Sequence, residues 1–170
     1  MNLKEYVRDI PDFPTEGILF RDITPMLKDP TAFGYAVDAL AERYSQRPFD
    51  IVVAIEARGF LFGSPLAYRL GKPLIPARKQ GKLPYESIRA DYSLEYGTNV
   101  VEMHTDAVAP GASVLIVDDL LATGGTLAAT ARLVELAGGR VEEVALVIEL
   151  EDLGGRKRLR GYDVFSLVQY

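Results

Sequence analysis

The sequence predicts an α/β fold: a mostly parallel central sheet with helices packed on its faces. Three observations lead there. Short, continuous apolar runs recur at 51–55, 74–77, 113–117, 144–148 and 164–168, the pattern of strands buried on both sides. Between several of these runs the apolar residues instead return every three or four positions, as on a helix with one face against a core. Finally, 170 residues with 48% hydrophobic content and 0 cysteines have room for one core and no disulfide framework.

Taken in order, Leu3, Tyr6, Val7 and Ile10 fall at helical spacing and predict a short amphipathic helix that stops at Pro11. Residues 12–24 hold Pro14, Gly17 and aromatics without a clean period, and read as a structured loop. Asp29-Pro30 starts a helix, since proline fits a first turn and Phe33, Val37, Leu40 and Tyr44 share the face that follows. After the strand at 51–55, Arg58-Gly59 turns into a helix carrying Phe62, Leu66 and Leu70 to Gly71, where a C-cap glycine belongs. Pro65 leaves the start of that helix open. A buried strand at 74–77 comes next. Residues 79–92 are polar, marked by glycine and proline, and read as a mobile loop. A strand at 100–104, a turn at Pro110-Gly111, and a helix over 127–137 ended by Gly138-Gly139 complete the pattern with the last strands. No repeat, biased tract or linker divides the chain, so one domain over 1–170 is expected.

Charge narrows the function. Lys and Arg number 19 and Asp and Glu 24, a net charge of −5. No overall positive field exists to hold nucleic acid or an anionic membrane, and neither is expected as a partner. An anionic ligand must meet local positive charge instead. Without cysteine, the lone His104 forms neither a histidine metal cluster nor a Cys/His dyad. No apolar run reaches the ~20 residues of a membrane span, and the first residues do not read as a signal peptide. A cytoplasmic location is expected.

Ligands of parallel α/β sheets bind beyond the carboxyl ends of the strands. The segment after Val117 is the most informative: Asp118-Asp119-Leu120-Leu121-Ala122-Thr123-Gly124-Gly125-Thr126, leading into a helix. Residues Ala122 to Thr126 offer unpaired backbone N–H groups, two hydroxyls and the positive end of a helix dipole, which suit a phosphate. Gly124 and Gly125 let the backbone come close to it. Asp118 and Asp119 can accept hydrogen bonds from vicinal hydroxyls, so a ribose 5-phosphate fits the segment. A P-loop is excluded because no lysine follows Gly125. A dinucleotide fingerprint is excluded because the acids precede the glycines.

This segment resembles the signature of type I phosphoribosyltransferases, which bind 5-phosphoribosyl-1-diphosphate. The resemblance implies their Rossmann-like fold, with Asp118 and Asp119 on the ribose and Ala122, Thr123, Gly124, Gly125 and Thr126 on its 5-phosphate. Arg58 follows the first buried strand, where its planar fork can take phosphate oxygens. In the family, the loop matched by Ala57 and Arg58 binds diphosphate, and Mg2+ bridges ribose and diphosphate. Mg2+ is expected to be held mainly by the ligand's oxygens, with no metal site held by protein alone. Arg78, Lys79 and Lys82 add positive charge after the next strand; the two lysines are either diphosphate contacts or solvated surface charges.

Other motifs resemble the adenine phosphoribosyltransferases over nearly the whole chain: Asp12-Phe13-Pro14-Thr15-Glu16-Gly17-Ile18-Leu19-Phe20-Arg21-Asp22, Arg58-Gly59-Phe60-Leu61-Phe62-Gly63, and Ala90-Asp91-Tyr92-Ser93-Leu94-Glu95-Tyr96-Gly97. That resemblance implies formation of AMP and diphosphate from adenine and the ribosyl diphosphate, in a homodimer. It implies a small N-terminal base-binding hood over about residues 1–28, with the Phe20 ring stacked on adenine and the backbones of Leu19 and Arg21 on its polar edge. Leu150 either covers the second face of the base or belongs to the core. Glu95, with Tyr96 beside it, is expected near the base, where the glutamate assists proton transfer at N7. Two departures are visible: Glu56-Ala57 stands where some relatives have Asp-Ser, and Tyr85-Glu86-Ser87 differs from some relatives. Two other readings remain open: transfer to another purine, and a non-catalytic regulator that senses the ribosyl diphosphate.

Overall fold

The computed structural model describes residues 1–93 and 98–170. Leu3–Tyr6 form one 3₁₀ turn, capped by the Asn2 side chain, which accepts from the Lys4 amide. The chain then extends instead of continuing as a helix. β1 (Arg8–Pro11) pairs antiparallel with β2 (Leu19–Asp22), Arg8 opposite Asp22 and Pro11 opposite Leu19. The expected helix over 3–10 and the expected loop over 12–24 are both corrected by this hairpin. A helix of two turns that ends at a proline has little to stabilise it, and only Leu3 of its apolar stripe is buried. Pro14 and Gly17 mark the turn of the hairpin: Gly17 lies at φ 83° and donates its N–H to Asp12.

α1 (Thr24–Lys28) leads into α2 (Pro30–Tyr44), whose first amides, Thr31 and Ala32, donate to the Asp29 carboxylate at 2.9 Å. This is the expected helix start, now with its cap. β3 (Ile51–Ile55), α3 (Gly59–Leu70) and β4 (Leu74–Lys79) follow, and α3 ends on Gly71 at φ 63° as expected. Pro65 sits in the second turn of α3. β5 (Ser87–Ser93), β6 (Thr98–His104), β7 (Ser113–Leu121), α4 (Gly125–Leu136), β8 (Arg140–Glu149) and β9 (Val164–Gln169) complete the described chain.

Seven strands form one sheet in the order β5-β6-β4-β3-β7-β8-β9. The four pairings from β4 to β9 are parallel, and β6 joins β4 and β5 antiparallel. α2 and α3 cover one face through Leu40, Phe62 and Leu66; α4 covers the other through Leu127, Leu133 and Val134. The sheet is therefore mostly parallel and flanked on both faces, as the apolar runs predict. β4 is less buried than its sequence suggests, because β6 pairs with it only at Arg78 and Lys79.

Much of the expected mobile loop at 79–92 is strand. β5 pairs with β6 from Ser87 opposite His104 to Ser93 opposite Thr98. Its polar look comes from the exposed Arg89 and Asp91, which alternate with Ile88, Ala90 and Tyr92 turned inward. β7 also runs further than expected, so Asp118 and Asp119 lie within the strand and not in the loop beyond it.

Candidate active site

Parallel strands point their carboxyl ends the same way, and β3, β4 and β7 open into one cavity of about 450 Å³. Three segments at the ends of these strands line it, together with residues of β5 and β6: Glu56, Ala57 and Arg58 after β3; Arg78 and Lys79 at the end of β4; and Asp118, Asp119 and Ala122 to Thr126 around the end of β7. Sequence reasoning placed all three there from their positions after strands.

The cradle at Ala122 to Thr126 depends on glycine. Gly124 lies at φ 80° and caps α4 without any side-chain hydrogen bond, so the first-turn amides of the helix have no side-chain partner at the cap. A methyl group at Gly124 would stand 2.6 Å from the Gly155 carbonyl oxygen. Gly155 is close-packed in turn, since a Cβ there would meet the Ala122 carbonyl at 2.3 Å. The cradle thus rests on the turn at Gly154-Gly155. Sequence reading missed this support, because the two glycines lie far from the motif and look like an ordinary turn.

Asp119 is buried and Asp118 half-buried. The Arg58 Nε sits 2.8 Å from Asp119 Oδ2, but its N–H does not point along the contact, so this buried oxygen has no hydrogen-bond donor among the described residues. Asp118 Oδ1 accepts from the Asp119 amide at 2.9 Å. Burial, followed by the neighbouring Asp119 charge, pushes the Asp118 carboxyl well above the usual aspartate range. Burial also raises Asp119, with the Arg58 charge opposing it. Two adjacent acids with an oxygen that lacks a donor suit a ligand that brings hydroxyl groups or a cation.

A raised folded-state pKa has a consequence for stability. Ionisation of Asp118 is harder in the folded chain than in the unfolded one, so its charge destabilises the fold. That penalty is absent below about pH 4, the unfolded value, grows as the pH rises to the folded value, and is complete above it. Asp118→Asn is therefore expected to raise Tm at pH 7 by ~2–4 °C, with the gain fading as the pH is lowered to about 4. Thermal melts across that range check it; a gain that persists at pH 4 would mean that packing, not charge, is responsible.

Other residues are placed as follows. Arg78 lines the cavity, but its guanidinium is held by Glu56 through two contacts of 3.2 Å, and Nη1 donates to the Lys82 carbonyl. Glu56 also accepts from the Lys79 amide at 3.0 Å. Burial alone would raise the Glu56 pKa, but these donors outweigh it and lower the carboxyl below its usual range. Glu56 is thus the partner of Arg78, a role the sequence reading overlooked. The signal was available: β3 and β4 pair with Ile55 opposite Ala77, so Glu56 and Arg78 leave adjacent strands side by side. Tyr92, assigned to a loop by sequence, also lines the cavity. The Lys82 side chain is exposed and does not line it.

Phe20, half-buried on β2, lies with its ring 5.5 Å from the Arg58 guanidinium and edge-on to Phe13 at 5.2 Å. Leu19 is exposed, and the Arg21 side chain pairs with Asp9 across the hairpin. Leu150 packs on the core cluster between the sheet and α2, and its amide donates to the Leu121 carbonyl. Glu95 and Tyr96 lie outside the described residues.

A model of the phosphoribosyl transferase domain matches residues 25–169. The adenine phosphoribosyltransferase of Carboxydothermus hydrogenoformans is 58% identical over 170 residues, 100% of both chains. The chain belongs to the adenine phosphoribosyltransferase family. Among solved structures of the family, that from Thermoanaerobacter pseudethanolicus matches with a TM-score of 0.96 at 55% identity, over 99% of this chain and 98% of its own. The Saccharomyces cerevisiae adenine phosphoribosyltransferase, complexed with an imino-altritol bisphosphate and adenine, matches with a TM-score of 0.92 at 43% identity, over 97% and 96%. The family's fold is thus the mostly parallel sheet described above, with its small N-terminal hairpin.

Proposed function

We propose that this chain transfers the 5-phosphoribosyl group from 5-phosphoribosyl-1-diphosphate to adenine, giving AMP and diphosphate, a purine-salvage reaction. The observation that carries this reading is the single cavity that joins a glycine-built phosphate cradle, the adjacent acids Asp118 and Asp119, and Arg58. In this reading the cradle holds the 5-phosphate, and Asp118 and Asp119 take the ribose hydroxyls. Arg58, with Ala57 beside it, faces the diphosphate. The bond from C1 of the ribose to diphosphate breaks, the bond from C1 to adenine N9 forms, and the base gives up a proton. The acids beside C1 stabilise the positive charge that develops there, and Arg58 stabilises the charge on the departing group. Glu95 takes the proton through N7.

Mg2+ fits this arrangement as an ion held largely by the substrate. Among the described residues no three Asp, Glu or His side chains converge into a cage, whereas Asp118 and Asp119 offer hard oxygens beside the ribose position. When bound, the ion neutralises charge on the diphosphate.

The β1–β2 hairpin, within a hood of about residues 1–28, is the base-binding part. The general domain match begins at residue 25 and leaves the hairpin out, while the adenine-specific relatives include it. Phe20 stacks on adenine, the Leu19 and Arg21 backbones meet its polar edge, and Leu150 approaches from the core side. Arg78, Lys79 and Tyr96 complete the substrate contacts, while Lys82, exposed and outside the cavity lining, is a solvated surface charge, the second of the two readings its sequence allows. No described helix is long and apolar enough to cross a membrane, the absence of cysteine suits a reducing compartment such as the cytoplasm, and the chain acts there as a homodimer.

Assay of the purified chain with Mg2+, the ribosyl diphosphate and a panel of purines tests the reading: AMP is expected from adenine, with far slower turnover of hypoxanthine, guanine and xanthine. A preference for a 6-oxo purine would overturn it. Phe20→Ala is expected to raise the KM for adenine about tenfold and leave that for the ribosyl diphosphate within twofold, because only the base loses its stacking face. Equal effects on both would make Phe20 a folding residue. Glu95→Gln is expected to lower the single-turnover rate by ~10²–10⁴-fold with AMP affinity nearly unchanged; a wild-type rate would leave Glu95 without a chemical role.

A further inference from the structure

The hairpin makes few contacts with the rest of the fold, yet the proposed stacking requires Phe20 to be held still. β2 supplies the connection. Alternate residues of a strand point to opposite sides, so Phe20 and Arg21 face opposite ways. Phe20 turns toward Phe13 and Arg58. Arg21 turns to Tyr170, its guanidinium carbon 3.9 Å from the centre of the phenol ring. The Lys4 ammonium lies 4.9 Å from the same ring. One ring therefore receives two cations, from the segments just before β1 and within β2.

The ring is itself firmly mounted. Tyr170 donates its amide to the Glu149 carbonyl at 2.9 Å, and its carbonyl accepts from the Glu151 amide at 2.8 Å. Arg21 is also tied to Asp9, its register partner on β1. Fixing Arg21 on one side of a two-stranded ribbon fixes the direction of Phe20 on the other.

We infer that Tyr170 is a positioning residue for base binding: its ring clamps Arg21 and Lys4, locks the β1–β2 hairpin to the end of β8, and so aims Phe20 at the base. The inference rests on the proposed stacking of Phe20 on adenine. It also accounts for Arg21 at a base site, since the side chain is committed to the clamp and the backbone is left to meet the base.

Three variants and two readouts test it. Tyr170→Ala removes the ring, Tyr170→Leu keeps bulk without a π face, and Tyr170→Phe keeps the ring without the hydroxyl. Tyr170→Ala and Tyr170→Leu are expected to raise the KM for adenine about fivefold, with the KM for the ribosyl diphosphate within twofold, because the cradle and Arg58 belong to other elements. Amide exchange in residues 8–22 should quicken in both, with that of α4 unchanged. Tyr170→Phe should restore both readouts. The clamp is overturned if exchange in 8–22 is unchanged in Tyr170→Ala, or if Tyr170→Leu behaves like wild type. A positioning role is overturned if both KM values rise together. Phe20→Ala run in parallel separates the two ideas: if it leaves the adenine KM unchanged, the stacking assignment falls, and with it the aiming of Phe20, whereas exchange in 8–22 still decides the clamp.

Discussion

Asp118→Asn combined with Asp119→Asn is expected to lower turnover at least ~100-fold while the chain stays folded. Two effects add. Asn keeps the shape and one acceptor oxygen at each position, so the Asp119 amide retains a partner and the end of β7 is not disturbed. In the proposed reaction, what disappears is negative charge beside the ribose carbon at the moment it becomes positive, together with the partner of Arg58. Contacts that strengthen in the transition state appear in kcat and in kcat/KM alike, so both should fall. Desolvation disfavours the charge of both acids, and the Asp119 charge adds to it at Asp118, so the double variant should melt higher than the wild type at pH 7. Lower activity with higher Tm is the expected signature; near-normal turnover would remove the ribose from these residues.

Gly124→Ala is expected to lower kcat/KM for the ribosyl diphosphate by about 30- to 100-fold, with much less effect on the KM for adenine. The position charges a side chain twice. At φ 80° an L residue is strained, and its methyl group would stand 2.6 Å from a backbone oxygen that cannot swing away as a side chain could. Relief requires the cradle to lift off the Gly155 turn, which tilts the open amides of α4 away from the phosphate. Strain of ~2–3 kcal/mol corresponds to the stated range. Titration with ribose 5-phosphate isolates the effect, because that ligand has neither base nor diphosphate; unchanged affinity for it would show that the phosphate does not bind at the cradle.

The buried strands and the cradle were legible in the sequence because each is a local pattern. Ile51–Ile55 is apolar at every position, and Asp118 to Thr126 is continuous in the chain. What was hidden depends on pairing between distant segments. Ile10 suits either a helix or a strand, and only its partner Phe20 on the strand Leu19–Asp22 decides between them. β5 looked like a loop because Arg89 and Asp91 face solvent at the sheet edge. Glu56 read as a departure from a motif, and its grip on Arg78 follows from the register of two neighbouring strands. The roles of Gly155 and Tyr170 are not local either; each matters through what it touches in a segment distant along the chain.

The seat of Gly124 on Gly155 sets an order of events during synthesis. The motif from Asp118 to Thr126 leaves the ribosome well before its support, which is encoded 31 positions later and follows β8. A nascent chain that ends ahead of Gly155 carries the whole motif and still lacks the surface that shapes it. The phosphate binding proposed for this motif is thereby reserved for a chain whose sheet has closed as far as β8. A bound substrate then stabilises that late-docked part of the molecule along with the loop it touches, and withdrawal of substrate should expose the end of the chain to proteases first.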